Sequence, residues 1–299
     1  MKTSNLAAIV IAIFLCFSWL GIVFYPSHED FMRSNPFWNG LKDFSRKTHA
    51  ELVTEMDQIK PGTNNILLSI PYRQYSDNDL KLVTAFVQNG GTLLIMDDYG
   101  YGNQVMNALT AGITFNGKPM LDPYLCYHNE KLPVITDFDK SIQDAGVKSV
   151  TLNHATALTV SGPIQILAKS SNSAFIDQNE NLSQDSGEAQ GPFVIAAKVA
   201  LGQGAVIAVA DPSILINSMD KRADNELFID QLIAVTGGNP KIYVDTIHLP
   251  KKNLDHAKDY WETVKKRMAN PYGLVLLIGG ILALSIVPFW QKGEQVVRK

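Results

Sequence analysis

At 299 residues the chain is long enough for one large domain or two small ones. Its 46% hydrophobic and 18% charged residues are those of an ordinary globular protein enriched in apolar segments, and a net charge of −3 gives no nucleic-acid footprint. The two cysteines, Cys16 and Cys126, lie in different parts of the chain, which excludes a disulfide within one domain and leaves the redox compartment open.

The apolar enrichment is concentrated at the ends. Leu6–Tyr25 carries no charge over 20 residues and Tyr272–Trp290 none over 19; about 20 apolar residues cross a hydrocarbon core of about 30 Å. Trp19, Tyr25, Tyr272, Phe289 and Trp290 sit near the ends of these runs, where aromatic rings favour the headgroup level. A cleaved signal peptide fits the first run less well, because the run is long and leaves through Val23, Phe24, Tyr25 and Pro26 instead of small residues. Phe14 and Leu15 likewise argue against a lipoprotein cysteine at Cys16. In the second run, Gly279-Gly280 suits a membrane helix better than a water-soluble one.

The expectation is a transmembrane helix over 6–25 and another over 271–290, with cytoplasmic tails at 1–5 and 291–299 and an extracytoplasmic α/β domain over 26–270. Lys2 ahead of the first run, Glu29 and Asp30 behind it, and Lys292, Arg298 and Lys299 after the second point both termini to the cytoplasm. Lys265, Lys266 and Arg267 on the domain side argue the other way, but long translocated domains largely escape the charge rule. On this reading the chain is a two-pass cell-membrane protein with the lipid bilayer as a partner.

Within the domain, Pro36–Lys47 places Phe37, Leu41 and Phe44 at helical spacing behind Asn35 as an N-cap. His49–Val53 reads as a short strand and Asn65–Ile70 as a buried one. Ser76 or Asp77 opens a helix through Val87, stopped by Gly90-Gly91, and Thr92–Met96 is the next buried strand. Strand, helix and strand in so short a stretch make a βαβ unit, so the two strands should be parallel. Ile113–Gly146 reads as loops and short irregular pieces. Strands follow at Val150–Asn153, Leu158–Val160, Ile164–Ala168 and Ala174–Ile176. The polar, acidic Gln178–Gln190 reads as a mobile loop or turn extension. Phe193–Ala200 and Ala205–Ala210 form a hairpin around Gly202-Gln203-Gly204. Asp224–Val235 is a helix, Lys241–Asp245 a last strand, and Leu254–Met268 an amphipathic helix.

Gly100-Tyr101-Gly102 lacks the third glycine of a dinucleotide fingerprint, since Val105 fills that place, and Asp97-Asp98 would repel a pyrophosphate. No cofactor is expected. Asp97 and Asp98 stand at a strand's carboxyl end, where open α/β sheets hold their sites, and they could either cap the next helix or ligate a hard cation. Asp211, Asn217, Asp224 and Asn225 form a second polar group near a strand end. Asp97, Asp98, Asn103, Asp211, Asn217 and Asn225 are the candidate ligand-binding residues. The six histidines lack metal spacing, Ser213 has no G-x-S-x-G elbow, and no nucleophile, base and oxyanion donor assemble. No catalytic residue and no metal ligand set is assigned. Asn181-Leu182-Ser183 is a glycosylation sequon, usable only on an external domain in a glycosylating host, and so short a motif is more often chance.

Three stretches carry a resemblance. Gly90 through Asn103 (GGTLLIMDDYGYGN), Ala210-Asp211-Pro212-Ser213 with Asn217 and Asp224-Asn225, and Val244-Asp245 through His248 resemble the membrane proteins of the domain of unknown function 4350 family. The resemblance implies a class I glutamine-amidotransferase-like α/β fold, a three-layer sandwich with a mostly parallel sheet, flanked here by one transmembrane helix at each end. It also implies a relation to gliding-motility auxiliary components of ABC transporters. Amidotransferases carry a cysteine at the elbow that Asp98 and Tyr99 occupy here, so the activity does not carry over. The family's acidic pair after the last strand appears as Asp245-Thr246. The expected function is a membrane-anchored, non-enzymatic binding or accessory module serving a transporter or cell-envelope complex; the alternative is a hydrolase or metal-dependent enzyme using Asp97, Asp98 and Asp211.

Overall fold

A computed structural model of the chain describes residues 3–62, 65–234, 237 and 240–269. It divides into two units, Pro26–Pro250 and the terminal segments Met1–Tyr25 with Lys251–Lys299. In chain order the elements are α1 (Thr3–Phe24), α2 (Lys42–Thr48), β1 (Glu51–Val53), β2 (Ile66–Ser69), α3 (Asp77–Gln88), β3 (Thr92–Met96), α4 (Asn103–Ala108) and β4 (Ile113–Phe115). Next come β5 (Met120–Leu121), β6 (Val134–Ile135), β7 (Asp137–Phe138), α5 (Lys140–Asp144), β8 (Val150–Thr151), β9 (Leu158–Val160), β10 (Gln165–Lys169) and β11 (Phe175–Ile176). The chain continues through β12 (Val194–Leu201), β13 (Gly204–Val209), α6 (Asn225–Ala234), β14 (Ile242–Asp245) and α7 (Asn253–Ala269).

The βαβ unit forms for local reasons. Every residue of β2 and β3 is buried, so both strands are apolar on both faces, as strands covered on two sides must be. Between them Ser76 caps α3 by accepting from Asp79 N at 3.1 Å, while Asp77 and Asp79 place negative charge at the positive end of the helix. Gly90 ends the segment with φ of 101°, a conformation that side-chain-bearing residues resist. The two strands are parallel, with Ile66 opposite Thr92 and Leu68 opposite Leu94.

Ten strands form one sheet, in the order β1-β14-β2-β3-β13-β12-β10-β7, with β9 paired to β12 and β4 to β9. The junctions from β1 to β13 are parallel. From β13 onward all are antiparallel. The change begins at the tight β12–β13 hairpin, whose Leu201 and Gly204 are partners across Gly202-Gln203: a two-residue turn reverses the chain, and each strand added on its outer side runs against its neighbour. The expected mostly parallel sheet is therefore corrected to a mixed one. Alternate residues divide between two cores. Leu68, Leu94, Met96 and Val209 pack with Phe44, Ile142 and Phe228 of α2, α5 and α6. Leu67, Leu93, Ile95 and Ala208 pack with Val83, Phe86, Val105 and Met106 of α3 and α4. Helices thus cover both faces of a mixed α/β sheet.

The ends of the chain require a larger correction. Among the described residues no helix is long and apolar enough to cross a membrane. This overturns the transmembrane helices expected to flank the fold, and with them the two-pass placement and the extracytoplasmic domain that rested on it. The second apolar run, Tyr272–Trp290, and the tail after it lie outside the described residues. In the terminal unit, Trp19 of α1 and Trp261 of α7 meet edge to face, with ring centroids 6.2 Å apart.

Candidate functional site

Parallel strands end on the same edge of a sheet, and here two of the acidic strand ends are adjacent. Met96, the last residue of β3, is opposite Val209, the last of β13. Asp97 follows directly and Asp211 comes two residues after Val209, so both reach the same carboxyl edge.

Asp97 and Asp211 are engaged with backbone. Asp97 Oδ1 accepts from Tyr99 N at 2.8 Å and Gly100 N at 3.0 Å, and its Oδ2 accepts from Gly102 N at 2.5 Å. These donors hold the turn that opens α4. Burial pushes the Asp97 carboxyl above the ordinary range, against the lowering effect of those N–H groups. Asp211 Oδ2 accepts from Asn153 N at 2.6 Å and its Oδ1 from Ser213 N at 2.7 Å, capping the 3₁₀ turn Pro212–Leu215. It is fully buried, and its carboxyl is pushed well up, first by burial and then in part by the charge of Asp98.

Asp98 differs. It is half-buried, and its carboxyl is pushed up to about 7 by burial, then by Asp97, then by Asp30. No ion pair involves it among the described residues. Around it stand three tyrosines. Tyr72 lies three residues beyond β2, while Tyr99 and Tyr101 lie just beyond β3. Their ring centroids are 5.8 Å (Tyr72–Tyr99), 6.5 Å (Tyr72–Tyr101) and 6.4 Å (Tyr99–Tyr101) apart, and Phe31 packs on Tyr72 at 5.8 Å. Tyr99 is 62% exposed and Tyr101 44%. Burial and then the Asp98 charge raise the Tyr72 phenol, and the same two influences raise that of Tyr99. Tyr72 and Tyr99 are therefore neighbours of Asp98, and Tyr101 joins the group through its ring contacts with both.

The three candidate asparagines are held as backbone clamps. Asn103 pairs both ways with Phe115, donating to its carbonyl at 2.9 Å and accepting from its N–H at 2.8 Å. Asn217 accepts from Asp43 N at 3.0 Å and donates to Phe37 O at 2.6 Å, fixing the start of α2. Asn225 accepts from Thr151 N at 2.8 Å and donates to Thr151 O and Met219 O at 2.9 and 3.0 Å. The structure thus brings Asp97, Asp98 and Asp211 to one edge and occupies Asn103, Asn217 and Asn225 in pinning loops and strands.

Sequence reasoning missed the tyrosines, and also a buried network at the ends of β2 and β14. Asp245 Oδ2 accepts from Ser69 Oγ at 2.9 Å and Tyr75 OH at 3.2 Å, and lies 2.7 Å from His248 Nδ1. Tyr75 stacks on His248 at 3.6 Å, and the Ser69 and Tyr75 hydroxyls hydrogen-bond each other. His248 Nε2 is 3.9 Å from Asp79 Oδ2. The residue types invite comparison with a hydrolytic triad, but the serine bonds the carboxylate instead of the outer imidazole nitrogen. Ser69, Asp245 and His248 are at most 1% exposed, so the arrangement offers no nucleophile to a substrate. The visible signal for the tyrosines was their position in loops that follow two adjacent parallel strands.

A family model described as "Domain of unknown function (DUF4350)" matches residues 35–233. Among solved structures, the chain is similar to the mmIFT52 N-terminal domain, with a TM-score of 0.53 and 13% identity over 72% of this chain and 96% of that one. It is more distantly similar to a cytoplasmic protein from Salmonella typhimurium (TM-score 0.40, 10% identity, 65% of this chain and 85% of that one). An exo-beta-1,4-mannosidase, Op5Man5 from Opitutaceae bacterium strain TAV5, gives a TM-score of 0.35 at 19% identity over 60% of this chain and 27% of that one. The first likeness concerns the fold alone, and the other two are too distant in shape to bear on this chain. No curated protein matches.

Proposed function

We propose that this chain, which belongs to the domain of unknown function 4350 family, is a non-enzymatic binding module that takes a weakly hydrated cation, a guanidinium or an alkylated ammonium, on the tyrosine patch beside Asp98. The observation that carries the reading is the grouping of Tyr72, Tyr99 and Tyr101 within 6.5 Å of one another, two of them exposed, beside a carboxyl that makes no ion pair among the described residues. Tyrosine faces attract cations by about 0.5–2 kcal/mol each, more when water is excluded, and an ionised Asp98 adds a full charge. A rim of this kind, open at Tyr99 and closed behind by Phe31, suits a flat or bulky cation better than a strongly hydrated one.

The geometry gives less support to the enzymatic alternative. Asp97 and Asp211 have both oxygens engaged by backbone donors, which leaves Asp98 alone to act as acid or base. Amidotransferase-like ancestry belongs to the same proposal as architecture without its chemistry: helices on both faces of the sheet support it, and Asp98-Tyr99 fills the turn after β3. The accessory role implied by the family resemblance is met by a partner protein that presents an arginine or a methylated lysine.

The test is calorimetric titration of the full chain with tetramethylammonium and with an arginine amide at pH 8. Saturable binding is expected, weakened about fivefold by Tyr99→Leu, the equivalent of about 1 kcal/mol. Absence of saturable binding, or equal affinity in a folded Tyr99→Leu variant, would remove the proposal.

A further inference from the structure

Residues Asp177 to Glu188 read Asp-Gln-Asn-Glu-Asn-Leu-Ser-Gln-Asp-Ser-Gly-Glu. Oxygen-bearing side chains fall at positions 1, 3, 5, 7, 9 and 12 of that stretch, the ligand spacing of twelve-residue calcium loops, which close on a glutamate that can bind through both oxygens. The six are Asp177, Asn179, Asn181, Ser183, Asp185 and Glu188. The sixth place, where such loops use glycine for a sharp turn, holds Leu182.

The structure adds an independent observation. The loop is closed at its root: Ile176 N donates to Ala189 O at 3.0 Å, and Phe175 bridges to Gln190. Asp177 is fully buried at its root and turned inward, accepting from Asn181 N at 3.1 Å and Leu182 N at 2.9 Å. Buried carboxylates are normally matched by a cation or a metal, and no ion pair involves Asp177, Asp185 or Glu188 among the described residues. The nearby Lys118 pairs with Glu180, a position that does not ligate in such loops. The third, fifth and ninth positions converge, because Asn179 Nδ2 and Asn181 Nδ2 each lie 2.7 Å from the same Asp185 Oδ2. Glu188 folds back over the loop, accepting from Gln178 N at 2.8 Å and Asp185 N at 3.0 Å. Leu182 has φ of 66°, the left-handed turn for which calcium loops use glycine. Carboxylates, histidines and cysteines alone do not gather into a metal centre among the described residues; three of this loop's six positions are filled instead by amide and hydroxyl side chains.

We infer that loop 177–188 is a calcium site. Its donors are all oxygen, they are numerous, and they sit on a bendable loop, which favours calcium over the smaller magnesium ion and its near-ideal octahedron. Bound calcium would offset two of the three carboxylate charges and fasten the loop to the small β5–β11 sheet from which it springs. This site is separate from the tyrosine patch and does not depend on it.

The experiment uses the full chain freed of divalent ions by a chelator, then titrated with calcium alone by calorimetry, with Tm followed in parallel. One-site binding with a Kd on the order of 10⁻⁶–10⁻³ M and a rise in Tm are expected, with magnesium failing to reproduce either at equal concentration. Glu188→Gln, at a partly exposed position that leaves the core intact, should weaken binding at least tenfold, and Asp185→Asn should do likewise. Leu182→Gly should retain or strengthen binding. Absence of binding and of any Tm change at about 10 mM calcium, well above the range of such loops, would overturn the inference. So would unaltered affinity in folded Glu188→Gln and Asp185→Asn variants.

Discussion

Replacing Asp98 by asparagine should make the protein more stable at pH 8 and flatten its stability against pH. The Asp98 carboxyl is displaced from 3.8 to about 7, chiefly by burial and secondarily by Asp97. An acid raised in this way holds its proton in the folded chain over a pH range where the unfolded chain has lost it. Ionisation therefore weakens the fold: stability falls as pH rises from about 4 to about 7 and levels off above. At 1.36 kcal/mol per pH unit the displacement corresponds to about 4 kcal/mol at most, and water reaching this half-buried group reduces that to about 2 kcal/mol. Asparagine keeps the shape and removes the charge. Urea denaturation at pH 5 and pH 8 should show the variant more stable than the parent by about 2 kcal/mol at pH 8, and by much less at pH 5. Asp97 and Asp211 contribute slopes of the same sign in both proteins, and because the Asp98 charge also raises Asp211, the difference reports Asp98 together with its coupling to that neighbour. An equal loss of stability with pH in parent and variant would refute the assignment of a raised pKa to this residue.

Asn225→Ala removes the acceptor for the buried Thr151 N–H and the donor to two carbonyls, and should cost about 3 kcal/mol, visible as a Tm lower by about 6–10 °C. Gly204→Ala would set a methyl carbon 2.1 Å from Gly91 O and 2.4 Å from Val87 O. Those are backbone atoms that cannot swing away, so a loss of about 3 kcal/mol or more is expected. Gly162→Ala, with nothing within 4 Å but φ of 96°, should cost only the backbone strain of about 1–2 kcal/mol, and thermal melts of the pair would separate the two causes.

What the sequence revealed was whatever depends on neighbours in the chain. The strand expected over Asn65–Ile70 is Ile66–Ser69, and Thr92–Met96 is found with the same bounds. The helix expected over Asp224–Val235 is Asn225–Ala234. Apolar runs, a serine cap and glycine stops are local signals, and the parallel pairing of β2 with β3 followed from the helix between them. The antiparallel strands were legible too: Leu158–Val160 is found with the same bounds, Ile164–Ala168 is Gln165–Lys169, and the hairpin is Val194–Leu201 with Gly204–Val209. What stayed hidden was β4 and β7, two or three residues long, which gain their identity only from partners far away in the chain. The asparagines illustrate the same limit. Asn225 clamps Thr151 across 74 residues and Asn217 clamps Asp43 across 174, so a polar residue near a strand end looked the same whether it lined a cleft or held a loop. Tyr72 and Tyr99 became a pair only once β2 and β3 lay side by side. His248 carried no metal-ligand spacing, and its bond to Asp245, three residues earlier, is seen only in the folded chain. The apolar runs at the ends were read from hydropathy alone, and the described helices do not bear out that reading.

The central claim, that the tyrosines and Asp98 form one cation-binding surface, is tested most directly by titrating tetramethylammonium into the full chain at pH 6 and at pH 8. With the Asp98 carboxyl at about 7, about a tenth of the molecules carry its charge at pH 6 and about nine tenths at pH 8. Affinity should therefore rise several-fold, up to about ninefold, between the two, and Asp98→Asn should bind weakly and equally at both. Binding that ignores pH in the parent chain, or a pH dependence that survives in Asp98→Asn, would contradict the account.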